Sequence, residues 1–363
     1  MSNNIGKMFT FTSFGESHGK VVGAIIDGCP AGLPLNEADV QPDLDIRRPG
    51  GNAASTTRKE KDRVEILSGI SDGYTTGAPI SLLVRNEDVD EAAYVQMGTK
   101  LRPGHADYTA YVKYGGFSDA RGGGRFSGRI TASFVMAGAV ANKLLQIIGV
   151  EIIAHTVEIG GVKAKPVDIA AVKKLSFKDP LFCADAAAAR KMQALISKTK
   201  DAGDSLGGII EGIALNMPVG LGEPVFDTLD GDLAKALFAI PALKGVEFGV
   251  GFAAVRLKGS ENNDAFTLKN GKIVTVTNNA GGILGGISNG MPLLVRVAVK
   301  PTSSIAIEQR TVDIKKMQET TIAVGGRHDV CIVPRAVPVV KAMMAVTLCD
   351  FALRSGMIPG VLR

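Results

Sequence analysis

The order of apolar and polar positions along the chain predicts an alternation of short strands and helices. Val21–Asp27 is an apolar run closing on Gly28-Cys29-Pro30, which reads as a strand entering a turn. Asn36 to Ile46 reads as a helix, with Asn36 as its cap and Glu37 and Asp39 in the first turn, where carboxylates meet the helix dipole. Strands are expected over Val64–Gly69 and Ala78–Val84, and a helix over Asp107–Tyr114. Ile130–Ile148 differs from these: it is apolar on nearly every face, the mark of a buried helix. Asn142, Lys143 and Gln146 within it argue against a membrane span. Further on, strands are expected at Glu151–Ile159, Leu206–Leu215, Phe248–Val255, Leu293–Val299 and Thr311–Lys316. Helices are expected at Asp185–Ser197, Leu229–Phe238 and Arg335–Phe351, a polar hairpin at Asn262–Lys272, and a glycine-rich connection at Asn278–Gly290. No linker divides residues 1–363, so one domain is expected. Two broadly similar series of elements leave an internal pseudo-duplication open.

Composition sharpens this picture. The chain has no tryptophan and 5% aromatic residues, so a core must come from Ala, Val, Leu and Ile. It holds 44 glycines, against about 25 at the usual share. Net charge is +5, which suits an anionic small ligand. No long basic tract, zinc-finger spacing or aromatic RNA-binding strand is present, so a nucleic-acid role is set aside. Cys29, Cys183, Cys331 and Cys349 stand far apart, and no secretory segment is recognised at the N-terminus. The expectation is a reduced, cytoplasmic protein with no membrane partner.

The chemistry gathers in glycine-rich polar clusters. Three of the four histidines sit in them: His18 in Gly15-Glu16-Ser17-His18-Gly19, His105 in Arg102-Pro103-Gly104-His105-Ala106-Asp107, and His328 in Gly325-Gly326-Arg327-His328-Asp329. Histidine titrates near neutrality and glycine lets backbone approach a ligand. His155, in an apolar run, reads as a strand residue. Arg121-Gly122-Gly123-Gly124-Arg125-Phe126-Ser127-Gly128-Arg129 leads into the buried helix, a layout suited to phosphate or a flavin tail. It lacks the Lys-Ser/Thr ending of a phosphate-binding Walker loop and follows no strand. Gly281–Gly290 and Lys300-Pro301-Thr302-Ser303-Ser304 add backbone amides, hydroxyls and one cation. Arg48, Arg102, Arg129 and Arg335 are candidates for neutralising a multiply charged substrate, while His18, His105 and Asp329 could move protons. The segment Arg47 to Arg63 reads as a long basic loop, either a solvated surface or an anion-binding loop. No metal-ligand spacing is present, so no metal is assigned.

Taken together, these motifs run in the order of a known family. The chain resembles the chorismate synthases over essentially its whole length. The matching stretches include Gly15–Gly19, Arg47-Arg48-Pro49-Gly50, Arg102–Asp107, Gly122–Arg125, Gly281–Gly286, Lys300–Ser304 and Arg327-His328-Asp329. The resemblance implies an α+β fold, a β-α-β sandwich with central helices packed between antiparallel sheets, assembled as a homotetramer. It implies a lyase converting 5-enolpyruvylshikimate 3-phosphate to chorismate and phosphate by 1,4-anti-elimination, with reduced FMN as cofactor. NADPH or an external flavin reductase would supply the reduced flavin. His18 would protonate the departing phosphate, His105 would protonate or stabilise the reduced flavin, and Asp329 would help the flavin N5 remove the C6 proton. Arg48, Arg102, Arg129 and Arg335 would hold the substrate, Arg48 also being the candidate nucleotide contact. FMN contacts are expected at Arg125, Phe126, Ser127, Pro241, Ala242, Gly285, Lys300, Pro301, Thr302, Ser303, Ser304 and Arg327. Phe126, Ile130, Pro241 and Ala54 depart from the usual pattern, which bears on side-chain contacts to FMN or nucleotide rather than on backbone ones. Two alternatives stay open: a different FMN-dependent phospholyase, and a non-catalytic flavin- or phosphate-binding protein. In the second, His18, His105 and Asp329 would not converge.

Overall fold

The computed structural model describes residues 3–48, 54, 60–87, 99–325 and 328–362. Two five-stranded antiparallel sheets enclose two long helices. The first sheet contains β1 (Asn4–Ile5), β2 (Thr10–Gly15), β3 (Val21–Asp27), β4 (Glu65–Ile66) and β5 (Ile80–Arg85), in the order β1-β2-β3-β5-β4. The second contains β6 (Glu151–Ile159), β7 (Val162–Lys163), β8 (Gly208–Leu215), β9 (Leu243–Phe248) and β10 (Leu293–Val299), in the order β9-β10-β8-β6-β7.

The helices are α1 (Glu37–Arg47), α2 (Asp107–Lys113), α3 (Thr131–Ile147), α4 (Ile169–Leu175), α5 (Ala186–Asp201), α6 (Leu229–Phe238) and α7 (Val333–Arg354). Helix α3 packs on β2, β3 and β5; α7 packs on β6 and β8; and the two helices pack on each other. Both are long and apolar enough to cross a membrane, yet they form the middle layer and are mostly buried. From Thr131 to Ala141 and from Ala342 to Leu353 every residue is buried. This is the arrangement that helices apolar on every face require, since each side needs cover. Gly138 lets the pair approach: a Cβ there would stand 2.3 Å from the Ala342 Cβ and 2.5 Å from its Cα.

Local sequence sets the ends of the elements. Asn36 caps α1 in a reciprocal capping box with Asp39, as its sequence predicts. The expected strand at Phe248–Val255 is different in the structure. β9 ends at Phe248, and Gly251–Arg256 forms a 3-10 turn. Gly249 and Gly251, both at positive φ near 55°, break the extended run where the valines would continue it. The expected strand at Thr311–Lys316 is instead Gln309–Asp313 paired with Gln318–Ile322. Strand β2, with its alternating burial, and helix α4, capped by Asp168, were not foreseen. His155 does lie on a strand, β6, where it meets Glu211 of β8 at 3.1 Å.

Candidate active site

The starts of α3 and α7 open on a cavity of about 520 Å³, within the range of small-molecule sites. Segments 102–106, 122–131, 238–244, 300–304 and 328–339 all contribute to its walls. Among the described residues, those walls carry seven Lys or Arg side chains and two carboxylates, Glu60 and Asp329. Such an excess of positive charge in a concave site concentrates anions.

The floor is a buried ion network. Arg47, 2% exposed, reaches Asp62 at 3.3 Å and donates to the Gly128 carbonyl at 2.7 Å and to the Thr131 hydroxyl at 3.2 Å. Arg129 pairs with the other oxygen of Asp62 and donates to Asn86 Oδ1 at 2.8 Å. Burial, with Arg335 adding repulsion, lowers the Arg47 guanidinium to about 9, while Asp62 opposes that shift. Burial resists the ionisation of Asp62, but Arg47 and Arg129 outweigh it and hold the carboxyl below its ordinary range. Arg48, the residue expected at this site, is exposed and meets Asp45 at 3.4 Å. Arg47 lines the cavity in its place, because the last turn of α1 carries only one of the two neighbours inward.

The glycine-rich segment 121–126 makes tight turns, kinked at Gly122, Gly123 and Gly124, whose φ of 58°, 84° and 52° is non-helical. Gly122 lines the cavity and lies against the ring of His18, which is 6% exposed. His18 thus stands behind the wall formed by Gly122. Its loop is pinned by Asn86, which donates to the carbonyls of Glu16 and Gly19. Arg125 turns toward β2 and donates to the carbonyls of Ser13 and Gly15 at 3.1 and 2.9 Å. Phe126, at the rim, packs near Tyr114 with ring centroids 6.4 Å apart. Ser127 caps the following turn through Arg129 N–H.

On the opposite wall, Arg335 Nη1 donates to Asp329 at 2.5 Å, and its buried Nε has no hydrogen-bond partner among the described residues. Thr302 Oγ1 donates to the Asp329 carbonyl at 3.0 Å, which ties the 300–304 segment to the start of α7. Lys300 lines the same wall beside Lys244; burial first, then Lys244, lowers its pKa. The carbonyl of Ala54 accepts from Val330 and Cys331 N–H, so the basic loop after α1 reaches the segment bearing Asp329.

Of the residues singled out from sequence, His105, Asp329, Arg102, Arg129, Arg335, Arg125, Phe126, Ser127, Pro241, Ala242, Lys300, Thr302, Ser303 and Ser304 line this one cavity. His18 adjoins it. Pro301 and Arg48 are not among its walls. Gly285 turns a small hairpin next to the start of α6 and is also outside the walls. Arg327 and most of the basic loop lie outside the described residues. Arg47, Glu60 and Asp62 were missed; the available signal was two acids inside a stretch otherwise read as cationic surface.

The sequence pattern that defines the family described as chorismate synthase matches residues 9–353. A chorismate synthase of Dehalococcoides mccartyi is 56% identical over 363 residues, covering all of both chains. One from Korarchaeum cryptofilum is 53% identical over 96% of this chain and 97% of its own. One from Methanosarcina barkeri is 53% identical over 99% and 98%. A crystal structure of chorismate synthase superposes with a TM-score of 0.77 at 32% identity, covering 97% of this chain and 93% of that one. The chain belongs to the chorismate synthase family.

Proposed function

We propose that the cationic cavity between the starts of α3 and α7 is where this chain carries out its reaction. As a member of its family the chain is a lyase of the shikimate pathway, converting 5-enolpyruvylshikimate 3-phosphate to chorismate and phosphate with reduced FMN. The observation that carries the site assignment is convergence. Five segments far apart in sequence, with Arg47 from the end of α1, bring Asp329, His105 and seven cationic side chains to one cavity, with His18 packed behind Gly122.

The residues fit an anionic cofactor and an anionic substrate together. The Nε of Arg335, without a partner among the described residues, leaves a donor for one of them, and Gly122 brings bare backbone to the cavity wall in front of His18. Phe126, Ser127, Pro241, Ala242, Lys300 and Thr302–Ser304 would hold FMN, which when bound supplies electron density to the substrate as the C3–O bond breaks. Arg125 and Gly285 would serve it differently: the first braces the glycine turn against β2, and the second lies away from the cavity within this chain. Arg129 and Arg335, with Arg47 beneath, hold the substrate phosphate and carboxylates. His18 delivers a proton to the departing phosphate, and Asp329 receives the proton lost from C6. His105 holds a proton at the cavity wall.

NADPH or a separate reductase is the proposed source of reducing equivalents. A homotetramer is proposed as the assembly; exposed Phe226, Phe252, Val255 and Leu268 offer apolar surface that further copies would cover. Four buried free thiols suit a reducing cytoplasm. The test is an anaerobic assay of purified protein with reduced FMN and 5-enolpyruvylshikimate 3-phosphate. Chorismate absorbance and phosphate release rising together are expected. No product would overturn the reading.

A further inference from the structure

Asp107 opens helix α2, two residues after His105, and the two side chains meet. His105 Nδ1 stands 2.6 Å from Asp107 Oδ1. The carboxylate is itself clamped. Arg102 donates from Nε to Oδ2 at 2.8 Å, from Nη2 to Oδ1 at 2.7 Å, and from its backbone N–H to Oδ2 at 3.0 Å. A two-pronged guanidinium plus a backbone donor leaves such a carboxylate one orientation. Burial opposes its ionisation, but the bonds from Arg102 and His105 prevail and keep Asp107 well below the usual carboxylate range.

An ionised carboxylate only accepts, so the short contact places a proton on Nδ1. Arg102 Nη2 is also 3.1 Å from Nδ1 and has a second N–H that could donate to a bare nitrogen, but the ionised Asp107 oxygen is nearer, at 2.6 Å, and two acceptors cannot share so short a contact, so the proton on Nδ1 wins. Among the described residues, Arg102 and Asp107 are the charged groups within bonding distance of the ring. The other ring nitrogen, Nε2, lies beside Gly123, where a Cβ would stand 3.3 Å away. No side chain covers that edge from position 123, and His105 itself lines the cavity.

We propose that Asp107 is a positioning residue: it fixes the proton of His105 on Nδ1 and presents Nε2 as the atom that exchanges protons in the cavity. The nitrogen that carries the proton is set by the partner of the other one. Arg102 is the strut that holds Asp107, and its charge is used there rather than on the substrate. The inference rests on His105 being a proton-handling group of the proposed site, and the test separates the two.

The experiment is nitrogen NMR of the full chain labelled with 15N-histidine, His105 being assigned by its loss in His105→Gln, alongside steady-state kinetics. In the parent protein the neutral His105 ring is expected as the Nδ1–H form. In Asp107→Asn, of nearly the same shape, the ratio of Nδ1–H to Nε2–H in the neutral ring should fall at least about fivefold as the charged acceptor is lost. The kcat should fall at least about tenfold with KM changed less than about threefold, because the interaction acts at the proton and not on substrate binding. Asp107→Glu, which restores the charge, should return the ratio toward the parent value. An Nε2–H ring in the parent, or an unmoved ratio in Asp107→Asn, overturns the proposal. A ratio that moves while kcat holds leaves the Asp107–His105 pair standing and removes His105 from the reaction. If Asp107→Asn does not fold, the parent tautomer and the Asp107→Glu ratio decide the matter.

Discussion

Gly122 lies against the imidazole of His18: a Cβ at position 122 would come within 2.2 Å of Cδ2 and 2.5 Å of Nε2. Its φ of 58° adds strain for any side chain. Gly122→Ala should therefore displace His18 without removing a single functional group. A fall in kcat of at least about a hundredfold is expected, comparable to loss of one proton-transfer group. FMN binding, followed by quenching of flavin fluorescence, should change far less. Full activity in Gly122→Ala would show that the His18 ring has no fixed place in the reaction.

His18 and Asp329 are expected to separate by step. His18→Ala should lower turnover much more than FMN affinity. Asp329→Asn should slow cleavage of the C6–H bond, seen as a larger isotope effect with substrate deuterated at C6. A normal rate of that step would remove Asp329 from it.

Adjacent arginines should behave in opposite ways. Arg47 is buried under the cavity and bonded to Asp62, Gly128 and Thr131, whereas Arg48 is exposed beside Asp45. Arg47→Ala leaves buried Asp62 with Arg129 alone, unpairs one of its oxygens and should destabilise the protein by about 3–5 kcal/mol, as removal of one partner of a buried pair does. Arg48→Ala should stay within about 0.5 kcal/mol, the range for surface changes. Urea denaturation of both variants reads this directly, and equal stabilities would refute it.

Acid should lower the stability of the fold through two carboxylates held beside the cavity. Asp62 and Asp107 are both held below their ordinary range in the folded protein. A carboxyl with a depressed folded pKa contributes stability that is fully present above its unfolded value of about 4 and lost as pH falls toward the folded one. Stability should thus decline below about pH 4. The decline should be shallower in Asp107→Asn, measured as the urea midpoint between neutral and acid pH.

Much of this fold could be read from the chain because its signals are local. The apolar faces of α3 and α7, the Asn36 cap and the boundaries of α6 are written within a few neighbouring residues. The strand expected after Phe248 failed because two glycines with positive φ outweigh the β-preference of the valines around them. The site was legible as a list of motifs and not as a geometry. Nothing near Arg102 indicates that Asp107 takes up its guanidinium, since either could face a ligand. Nothing in Arg47-Arg48 states which neighbour turns inward, since that depends on the phase of α1 against α3 and α7. Asp62 was hidden among cations, although an acid amid basic residues is what a buried arginine needs nearby.

The contact of Gly138 with Ala342 joins two rods that each begin at a cation of the cavity, Arg129 just before α3 and Arg335 in the first turn of α7. It therefore works as a caliper, setting the span between two anion-holding groups from deep within the apolar layer. A methyl group added at 138 would be registered at the other end of the rods as a changed reach for phosphate and carboxylate, so that the volume of one core residue becomes a determinant of which anions fit.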